Sequence, residues 1–371
     1  MKIPFVDLKA QYQSIKSDID TAIANVIQDT AFIRGKYVSE FEAAFADFLG
    51  VKEVVSCANG TDSLEILLRA WGIGPGDEVI VPAMTWISTA ETVSYLGATP
   101  VFVDAHPKYF TIDVNKIEEK ITEKTKAIIP VHLYGLSAEM DKIMELAIKY
   151  DLKVLEDSAQ AHGATYKEQT IGTIGHAGSF SFFPSKNLGA YGDAGAIVTN
   201  DKELAEHCRM IAHHGQKAKH DHQVIGKNSR LDGLQAAILS AKLPYLESWT
   251  EARIRNAAAM KNALYETDLV LPEYPDYARH VFHLFVVRTK ERMQMIEFLK
   301  DKGIANAIHY PTPLPFTPVY TSEVNSKANF PVAAQLQGEI LSLPMFPELS
   351  DAQIQYIAEA IKEFSCTNVV S

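Results

Sequence analysis

The sequence is poor in cysteine and contains no long hydrophobic run. Its three cysteines, Cys57, Cys208 and Cys366, are widely spaced among 371 residues and form no Cys-x-x-Cys pair. This spacing argues against a disulfide framework and a zinc site, and indicates a reducing compartment. No window approaches the roughly 18 apolar residues that a membrane span needs, and the opening segment MKIPFVDLKAQYQSIK lacks the apolar core of a signal peptide. We therefore predict a cytoplasmic protein with no membrane partner.

Positive charge is also in short supply. The chain has 35 Lys and Arg against 46 Asp and Glu, which gives a net charge of -11. A protein that binds duplex nucleic acid needs a basic face, and no stretch of this sequence forms one. We therefore predict no nucleic-acid partner. A small anionic ligand remains compatible with this charge, because backbone amides at a helix N-terminus can bind a phosphate.

Short apolar runs alternate with helical periodicity over residues 51–200. The runs cover residues 51–57, 77–83, 99–105, 126–132, 152–158, 177–183 and 194–200. Apolar strands that alternate with amphipathic helices predict an α/β fold with a mostly parallel sheet. The last two runs are joined by a loop too short for a helical crossover, so we expect one of them to be an antiparallel edge strand.

The pattern changes after Asp201. A long helical stretch leads to a smaller α+β unit beyond about residue 265, in which residues 280–288 alternate like a half-buried strand. We predict a large domain over residues 1–245, which includes an N-terminal arm and holds the ligand site. A smaller C-terminal α+β domain is predicted over residues 246–371.

A carboxylate stands at the end of one predicted strand, in the segment VLEDSAQAHGA at residues 154–164. Open parallel sheets bind their ligands at the carboxyl ends of strands, so Asp157 could pair with a protonated ring nitrogen or with a metal. Alternatively, Asp157 followed by Ser158 could cap a helix that begins after the strand. The segment by itself leaves both interpretations open.

A lysine follows a later strand, 29 residues after Asp157. Lys186 lies among aromatic residues and glycines in SFSFFPSKNLGAYGDAGA. An apolar setting lowers the pKa of a lysine and allows the neutral amine to attack a carbonyl, although a single lysine is more often a solvated surface charge. Together, Asp157 and Lys186 form the minimum constellation for pyridoxal phosphate: the lysine forms a Schiff base and the carboxylate keeps the pyridine nitrogen protonated.

The segment CANGTDSL could bind the phosphate of such a cofactor. A strand is predicted to end at Cys57, Gly60 permits close approach of the backbone, and a helix begins near Thr61. Free amides at that helix N-terminus can bind a dianion, but an ordinary capped turn explains the same residues equally well. Ser181 could add a hydroxyl to the phosphate. Trp86 could stack on the cofactor ring or lie in the core.

Long motifs along the chain resemble the DegT/StrS-type sugar-nucleotide aminotransferases, a branch of the aspartate-aminotransferase fold class. They cover essentially the whole length and include CANGTDSL, EDSAQAHGA, SFFPSKNLGAYGDAGA, NSRLDGLQAAIL, IHYPTPL and LSLPMFPEL. The resemblance implies the fold type I of pyridoxal-phosphate (PLP)-dependent transferases, with a mostly parallel seven-stranded sheet in the large domain. It also implies PLP as cofactor, pyridoxamine phosphate (PMP) as its intermediate form, and a homodimer with shared active sites.

The resemblance implies a role for each matching residue. Lys186 would bond the cofactor and then move the proton, Asp157 would face the pyridine nitrogen, and Gln160 would lie near the ring hydroxyl. The remaining cofactor contacts would come from Gly60, Thr61 and Ser181 at the phosphate, Trp86 on the ring, and Asn228, which would reach the same phosphate across the dimer interface. The sugar nucleotide would be contacted by Arg230, His309 and Tyr310.

The implied reaction is a ping-pong transamination. An amino acid, L-glutamate in the favoured scheme, would donate its amino group to a nucleotide-linked keto-sugar, with a 3-keto hexose on dTDP or UDP preferred. The alternatives are amination of a 4-keto sugar, dehydration of a similar sugar, and a PLP-binding regulator without turnover. Relatives that dehydrate carry histidine at the position of Lys186. We predict no metal site, because the histidines at 213, 214, 220 and 222 are better interpreted as solvated or nucleotide-contacting.

Overall fold

The structure, a computed structural model, describes residues 1–368. Its helices are α1 (Leu8–Ser14), α2 (Lys16–Asp29), α3 (Lys36–Leu49), α4 (Gly60–Ala70), α5 (Ser88–Tyr95), α6 (Met140–Tyr150), α7 (Lys202–Ala212), α8 (Gly233–Lys242), α9 (Leu246–Ala263), α10 (Arg292–Asp301), α11 (Pro331–Glu339) and α12 (Asp351–Asn368). Its strands are β1 (Glu53–Cys57), β2 (Glu78–Pro82), β3 (Thr99–Val103), β4 (Thr125–Ile128), β5 (Lys153–Asp157), β6 (Thr165–Tyr166), β7 (Gln169–Thr170), β8 (Ala177–Ser181), β9 (Gly195–Thr199), β10 (Gln216–Ala218), β11 (Asp221–His222), β12 (Ala278–Arg279), β13 (Phe285–Arg288) and β14 (Ile340–Leu343).

The seven apolar runs form one seven-stranded sheet, in the order β1-β9-β8-β5-β4-β2-β3. All neighbouring pairs are parallel except those of β9, which is antiparallel to both β8 and β1. One of the last two runs is therefore antiparallel as expected, but the prediction that it would be an edge strand is wrong. β1 pairs with the free side of β9 over its whole length, from Glu53 opposite Thr199 to Cys57 opposite Gly195.

Helices cover both faces of this sheet. Side chains alternate along each strand, so neighbouring residues enter different cores. Val55 and Ile197 pack under α4, α5 and α7, whereas Val54 and Val198 pack on the other face with the phenylalanines of α3. Further along that second face, α6 packs on β4 and β5. This arrangement leaves the carboxyl ends of the strands as the open edge at which a site can form.

The C-terminal part of the chain has a core of its own. It contains residues of α9, α10, α12, β13 and β14, together with Ile3 from the N-terminus. The strand predicted over residues 280–288 is shorter and begins at Phe285, because residues 281–284 instead bind the main chain of the larger unit. There Val281 N donates to Gly135 O at 3.0 Å and Leu284 N to Tyr134 O at 3.3 Å.

The predicted domain boundary falls where α9 begins. The first turns of α9 pack on the large unit through Leu246 and Trp249, and its later turns enter the C-terminal core through Ala257 and Met260. The boundary stays a prediction, and residues 369–371 of the predicted small domain lie outside the described residues. Within residues 1–368, no helix has the length and apolar character needed to cross a bilayer. The cytoplasmic location also stays a prediction.

Candidate active site

Asp157 lies at the carboxyl end of β5 and is almost completely buried, with 6% of its surface exposed. Thr89 Oγ1 donates to its Oδ2 at 2.9 Å, and the backbone N–H of Ala159 donates to its Oδ1 at 3.2 Å. No helix begins in residues 158–164, so the alternative that Asp157 caps a helix is wrong. Burial raises the pKa of the carboxyl group, and the two hydrogen bonds and the charge of Lys186 oppose that rise.

The neighbouring carboxylate, that of Glu156, holds a loop in place. Glu156 is fully buried and accepts a hydrogen bond from each of three main-chain N–H groups in the loop after β7, those of Gly172, Ile174 and Gly175. Its Oε2 also lies 3.0 Å from Nε2 of the buried His132. Adjacent side chains of a strand point to opposite faces, so only one of these two carboxylates can face the site.

Lys186 lies in the loop between β8 and β9 and is half-buried. The surrounding protein removes solvent from its amine and lowers its pKa to about 8, while the Asp157 carboxylate acts in the opposite direction. The loop is held in place by its own turn, in which Lys186 N donates to Phe183 O at 2.8 Å, and by Lys242 Nζ, which donates to Gly189 O at 2.7 Å. The alternative of a fully solvated surface lysine is therefore wrong.

Aromatic and amide side chains lie on the same side of the sheet. Gln160 Oε1 accepts from the Tyr134 N–H at 2.7 Å, and Gln160 Nε2 donates to the Tyr310 hydroxyl at 2.9 Å. The Trp86 ring lies 5.6 Å from the Tyr310 ring and is 57% exposed. The alternative that Trp86 belongs to the core is therefore wrong, and its indole is available to a ligand.

Three histidines surround the lysine, and sequence reasoning found only His309. The pKa of His309 is lowered to about 4 and that of His162 to about 3, mainly by burial and then by the charge of Lys186. Burial and Lys186 also lower the pKa of His283, whose Nδ1 lies 3.2 Å from Asn187 Oδ1. His283 could have been found from its place in the apolar run 280–288, and His162 from its motif with Asp157.

The predicted phosphate cradle has the expected geometry. Helix α4 begins at Gly60, and the Asn59 side chain caps it by accepting from Asp62 N at 2.8 Å. By their position, the amides of Gly60 and Thr61 have no acceptor within the helix. A Cβ on Gly60 would lie 2.7 Å from the Cβ of Ser181, so only glycine permits this approach. The capped turn is thus present, and the binding of a phosphate at it stays a prediction.

The cradle and Asp157 are connected through the first turn of α5. Thr61 Oγ1 lies 2.7 Å from Ser88 Oγ, and the next residue, Thr89, donates to Asp157. The sequence pattern did not identify Ser88 or Thr89, because their partners lie 27 and 68 residues away. The structure thus brings together nine of the eleven predicted residues, in two adjoining groups: Gly60, Thr61 and Ser181, and Trp86, Asp157, Gln160, Lys186, His309 and Tyr310.

Asn228 and Arg230 belong to neither group, although the adjacent Lys227 and Ser229 contact α4 and the residue before its cap. Asn228 is exposed and forms an isolated bridge with His213. Arg230 lines a separate cavity of about 110 Å³ with Arg34, Glu42 and His213, whereas Tyr310 contacts Gln160 and Trp86. Within residues 1–368, no group of three or more His, Cys, Asp or Glu is arranged to hold a metal ion.

Residues 13–362 match the DegT/DnrJ/EryC1/StrS aminotransferase family. The chain belongs to this family. The predicted family and the predicted aminotransferase class are therefore confirmed.

Two relatives align with nearly the whole chain. A pleiotropic regulatory protein of Geobacillus stearothermophilus is 48% identical over 98% of this chain and 99% of its own length. A UDP-N-acetyl-3-dehydro-α-D-glucosamine 3-aminotransferase of Acidithiobacillus ferrooxidans is 47% identical over 97% of each chain. Membership of the family therefore spans proteins named as enzymes and proteins named as regulators.

The fold class is confirmed by a solved relative. The chain superposes on S. venezuelae DesV, solved in complex with a ketimine intermediate, with a TM-score of 0.96, 41% identity and 98% coverage of both chains. A sugar aminotransferase of Streptococcus pneumoniae, 26–27% identical over 95% of this chain and 96% of its own, was solved in PMP form and in PLP form with a TM-score of 0.90. These structures hold the cofactor that the sequence predicted.

Proposed function

We propose that this chain is a PLP-dependent aminotransferase that transfers an amino group from L-glutamate to a nucleotide-linked keto-sugar, preferentially a 3-keto hexose on dTDP or UDP. The observation that carries the proposal is the placement of Lys186 and Asp157. Asp157 ends β5, Lys186 follows the neighbouring parallel strand β8, and the charge of each acts on the other. Membership of an aminotransferase family supports the same class of reaction.

The described residues fit the cofactor. The free amides at the start of α4 and the hydroxyls of Thr61 and Ser181 suit a phosphate, because they offer donors without adding a basic side chain. The buried Asp157 carboxylate suits a protonated ring nitrogen, and the exposed Trp86 indole suits the face of an aromatic ring. Gln160 has one amide hydrogen beyond the bond it makes to Tyr310, which suits the ring hydroxyl.

The residues of the chain then have distinct tasks. When bound, PLP supplies a conjugated ring that accepts the electron pair left when a proton leaves the α-carbon of the amino acid. The Asp157 carboxylate keeps a proton on the ring nitrogen by accepting its hydrogen bond. With a pKa of about 8, the Lys186 amine is partly neutral near neutral pH, so its Nζ can take up the proton from carbon and return it.

A second proposal concerns the position of the amino group. The relative from Acidithiobacillus ferrooxidans is named for amination at C3, which supports a 3-keto substrate here. His309 and Tyr310 lie beside Gln160 and Trp86, where they can contact the sugar part of such a substrate. Arg230 would contact the nucleotide-linked part, from the separate cavity that it lines.

The substrate is tested with a panel of nucleotide sugars. The PMP form of the enzyme is mixed with dTDP- and UDP-linked 3-keto and 4-keto hexoses, and loss of the PMP absorbance is followed. We expect a 3-keto sugar to restore the PLP spectrum faster than any 4-keto sugar. Faster reaction of a 4-keto sugar would reverse the order of the two candidates. Reaction with neither would reject the sugar-nucleotide substrate.

A glutamate half-reaction separates the enzyme from its rivals. An aminotransferase converts its PLP form to PMP and releases one 2-oxoglutarate per subunit, whereas a regulator without turnover does neither. A dehydratase would consume the sugar without stoichiometric release of 2-oxoglutarate. Lys186 supports the aminotransferase, because its amine is the group that the proposed proton transfer requires.

We also infer that the chain forms a homodimer with shared active sites. Large apolar side chains are exposed in the single chain at Phe32, Ile33 and Phe183, which are 45%, 53% and 51% exposed. The first two lie next to the segment of Asn228 and Arg230, since Ile33 bridges Asp232. A second copy that covered them would bring the exposed Asn228 to another subunit's site.

A further inference from the structure

The first turn of α5 contacts both groups of site residues. Ser88 lies 2.7 Å from the Thr61 hydroxyl in the cradle, and Thr89 donates to Asp157. Thr89 is fully buried, so its hydroxyl has no access to water. A buried hydroxyl aimed at a buried carboxylate in another element is a contact that the fold is built to hold.

We propose that Thr89 is a positioning residue for Asp157: it orients the carboxylate toward the cofactor's ring nitrogen and stabilises its charged form. This inference rests on the proposed function, because it assigns a partner to the group that would hold the ring nitrogen. Thr89 touches neither cofactor nor substrate in this role, and it acts only through Asp157.

Two hydrogen bonds together hold the plane of the carboxylate. The bond from Ala159 N reaches Oδ1 from two residues along the same chain segment, and at 3.2 Å it is the longer of the two. The bond from Thr89 reaches Oδ2 at 2.9 Å across 68 residues of sequence. Without the Thr89 hydroxyl, the carboxylate could rotate about the single donor that remains, and the lone pairs offered to a ring nitrogen would change direction.

The same bond opposes the cost of burying a charge. Burial raises the pKa of Asp157, and the Thr89 hydrogen bond is the largest of the effects that lower it. The other titratable groups that act on the carboxyl group are Lys186 and His132, which lower its pKa, and the Tyr310 phenol, whose own pKa the carboxylate raises. Removal of the hydroxyl therefore moves protonation of Asp157 to higher pH.

Thr92 provides a matched control one turn further along the helix. It is also fully buried, but its Oγ1 donates to the Ser88 carbonyl of its own helix at 2.9 Å. A change of Thr89→Val or Thr92→Val replaces one hydroxyl by a methyl group at a fully buried position of α5. Only the first removes a donor from Asp157.

The test measures binding of PMP to the purified apoenzyme, because PMP cannot bond covalently to Lys186. Dissociation constants are obtained between pH 5 and 8 for wild type, Thr89→Val, Thr89→Ser and Thr92→Val. We expect Thr89→Val to weaken binding about tenfold, equivalent to about 1.4 kcal/mol, and to move the acidic limit of binding to higher pH. Thr89→Ser should restore both properties, and Thr92→Val should match wild type.

A double variant identifies the route of the effect. In an Asp157→Asn background, Thr89→Val should cause no further loss, because its only route to the ligand has been removed. The inference is overturned if Thr89→Val matches Thr92→Val, if Thr89→Ser fails to restore binding, or if the losses of the double variant add in full.

Two further results have a defined meaning. If wild type binds no PMP, the proposed function fails together with this inference. If wild type binds PMP and Thr89→Val binds it equally well, only the inference is rejected. If Thr89→Val does not fold, Thr89→Ala removes the same hydroxyl without placing a methyl group against the carboxylate, and the same expectations apply to it.

Discussion

Two lysines of this chain share a lowered pKa but differ in their access to a ligand. Burial lowers the pKa of both Lys186 and Lys242 to about 8. Lys242 is fully buried, donates to Gly189 O at 2.7 Å and lies 4.4 Å from the centre of the Tyr191 ring. Lys186 is only half-buried and its charge is coupled to Asp157. A lowered pKa is thus shared by a structural lysine and by the proposed reactive lysine, and access to a ligand distinguishes the two.

Replacement of Lys186 by methionine should stabilise the apoprotein at neutral pH. The pKa of Lys186 is lower in the folded chain, so below about pH 8 the folded chain holds a positive charge in a desolvated site, which lowers its stability. Between pH 8 and 10.5 the folded chain loses this proton while the unfolded chain still holds it, so the cost of burying the charge disappears. Wild-type stability should therefore rise between pH 8 and 10.5. We expect Lys186→Met to raise Tm at pH 7, by a difference that shrinks toward pH 10.5 in thermal unfolding.

The exposed Lys202 provides the control for that experiment, because it makes only a loose ion pair with Glu206 at 3.9 Å. Lys202→Met should leave Tm unchanged at every pH. An equal rise in Tm for both variants would show that added apolar surface, and not the buried charge, causes the effect.

Replacement of Asp157 by asparagine should slow the reaction more than it weakens the fold. The amide is nearly the same shape but cannot hold a proton on the ring nitrogen, so we expect kcat to fall about 10²- to 10³-fold with little change in the KM for glutamate. The measurement is steady-state release of 2-oxoglutarate. Asp113→Asn is the control, because Asp113 is also buried but accepts from Asn115 N in a surface turn. A kcat loss of the same size in Asp113→Asn would contradict the assignment.

Among the elements, α4 depends on a segment far away in sequence. The Lys227 amine lies 2.7 Å from a carboxylate oxygen of Asp62 and of Glu65, both in the first turns of that helix. Two residues further on, Ser229 Oγ accepts from Ala58 N at 3.1 Å. The segment 227–229 thus holds the loop and helix of the proposed phosphate cradle, and it neutralises acidic charge beside that proposed site.

Lys227→Met should therefore weaken cofactor binding without any direct contact to the cofactor. Loss of the amine leaves Asp62 and Glu65 with one positive partner fewer beside the phosphate, so we expect several-fold weaker binding of PMP. Asp62→Asn in the same chain should recover part of the loss, because it removes a negative charge that Lys227 no longer balances, whereas Glu65 keeps its ion pair with Arg69. The dissociation constants of single and double variants check this, and an additive loss would count against an electrostatic cause.

For the whole molecule, the proposed homodimer assigns the residues of each site to two subunits. Asn228 bridges His213, and Arg230 lines the cavity with Arg34 and His213. In the proposed homodimer, each site would take Lys186 from one subunit and Asn228 from the other. A symmetric dimer has two such sites.

Complementation between inactive subunits tests this arrangement. Lys186→Ala and Asn228→Ala chains are co-expressed with different tags, and heterodimers are isolated by two affinity steps. If Asn228 acts across the interface, one of the two sites is intact and activity should be about half that of wild type at limiting PLP. If Asn228 acts within its own chain, the heterodimer should be no more active than the Asn228→Ala homodimer.

Local patterns in the sequence were enough for the framework and for the central chemistry. Seven apolar runs predicted the seven strands of the sheet, because burial on both faces makes each strand a continuous apolar segment. Asp157 and Lys186 could be recognised because Asp157 lies at the end of one such run and Lys186 comes shortly after another, and the ends of parallel strands meet at one edge. These features depend only on residues that are close together in the chain.

The tertiary structure decided everything that depends on contacts between distant segments. It placed β9 inside the sheet, because β1 returns to pair with its free side. It separated Glu156 from Asp157 by strand geometry, gave Asp157 a partner in Thr89, and turned residues 281–284 toward the site instead of into a strand. The spacing of residues along the chain does not predict such contacts, because their energy comes from packing that exists only in the folded chain.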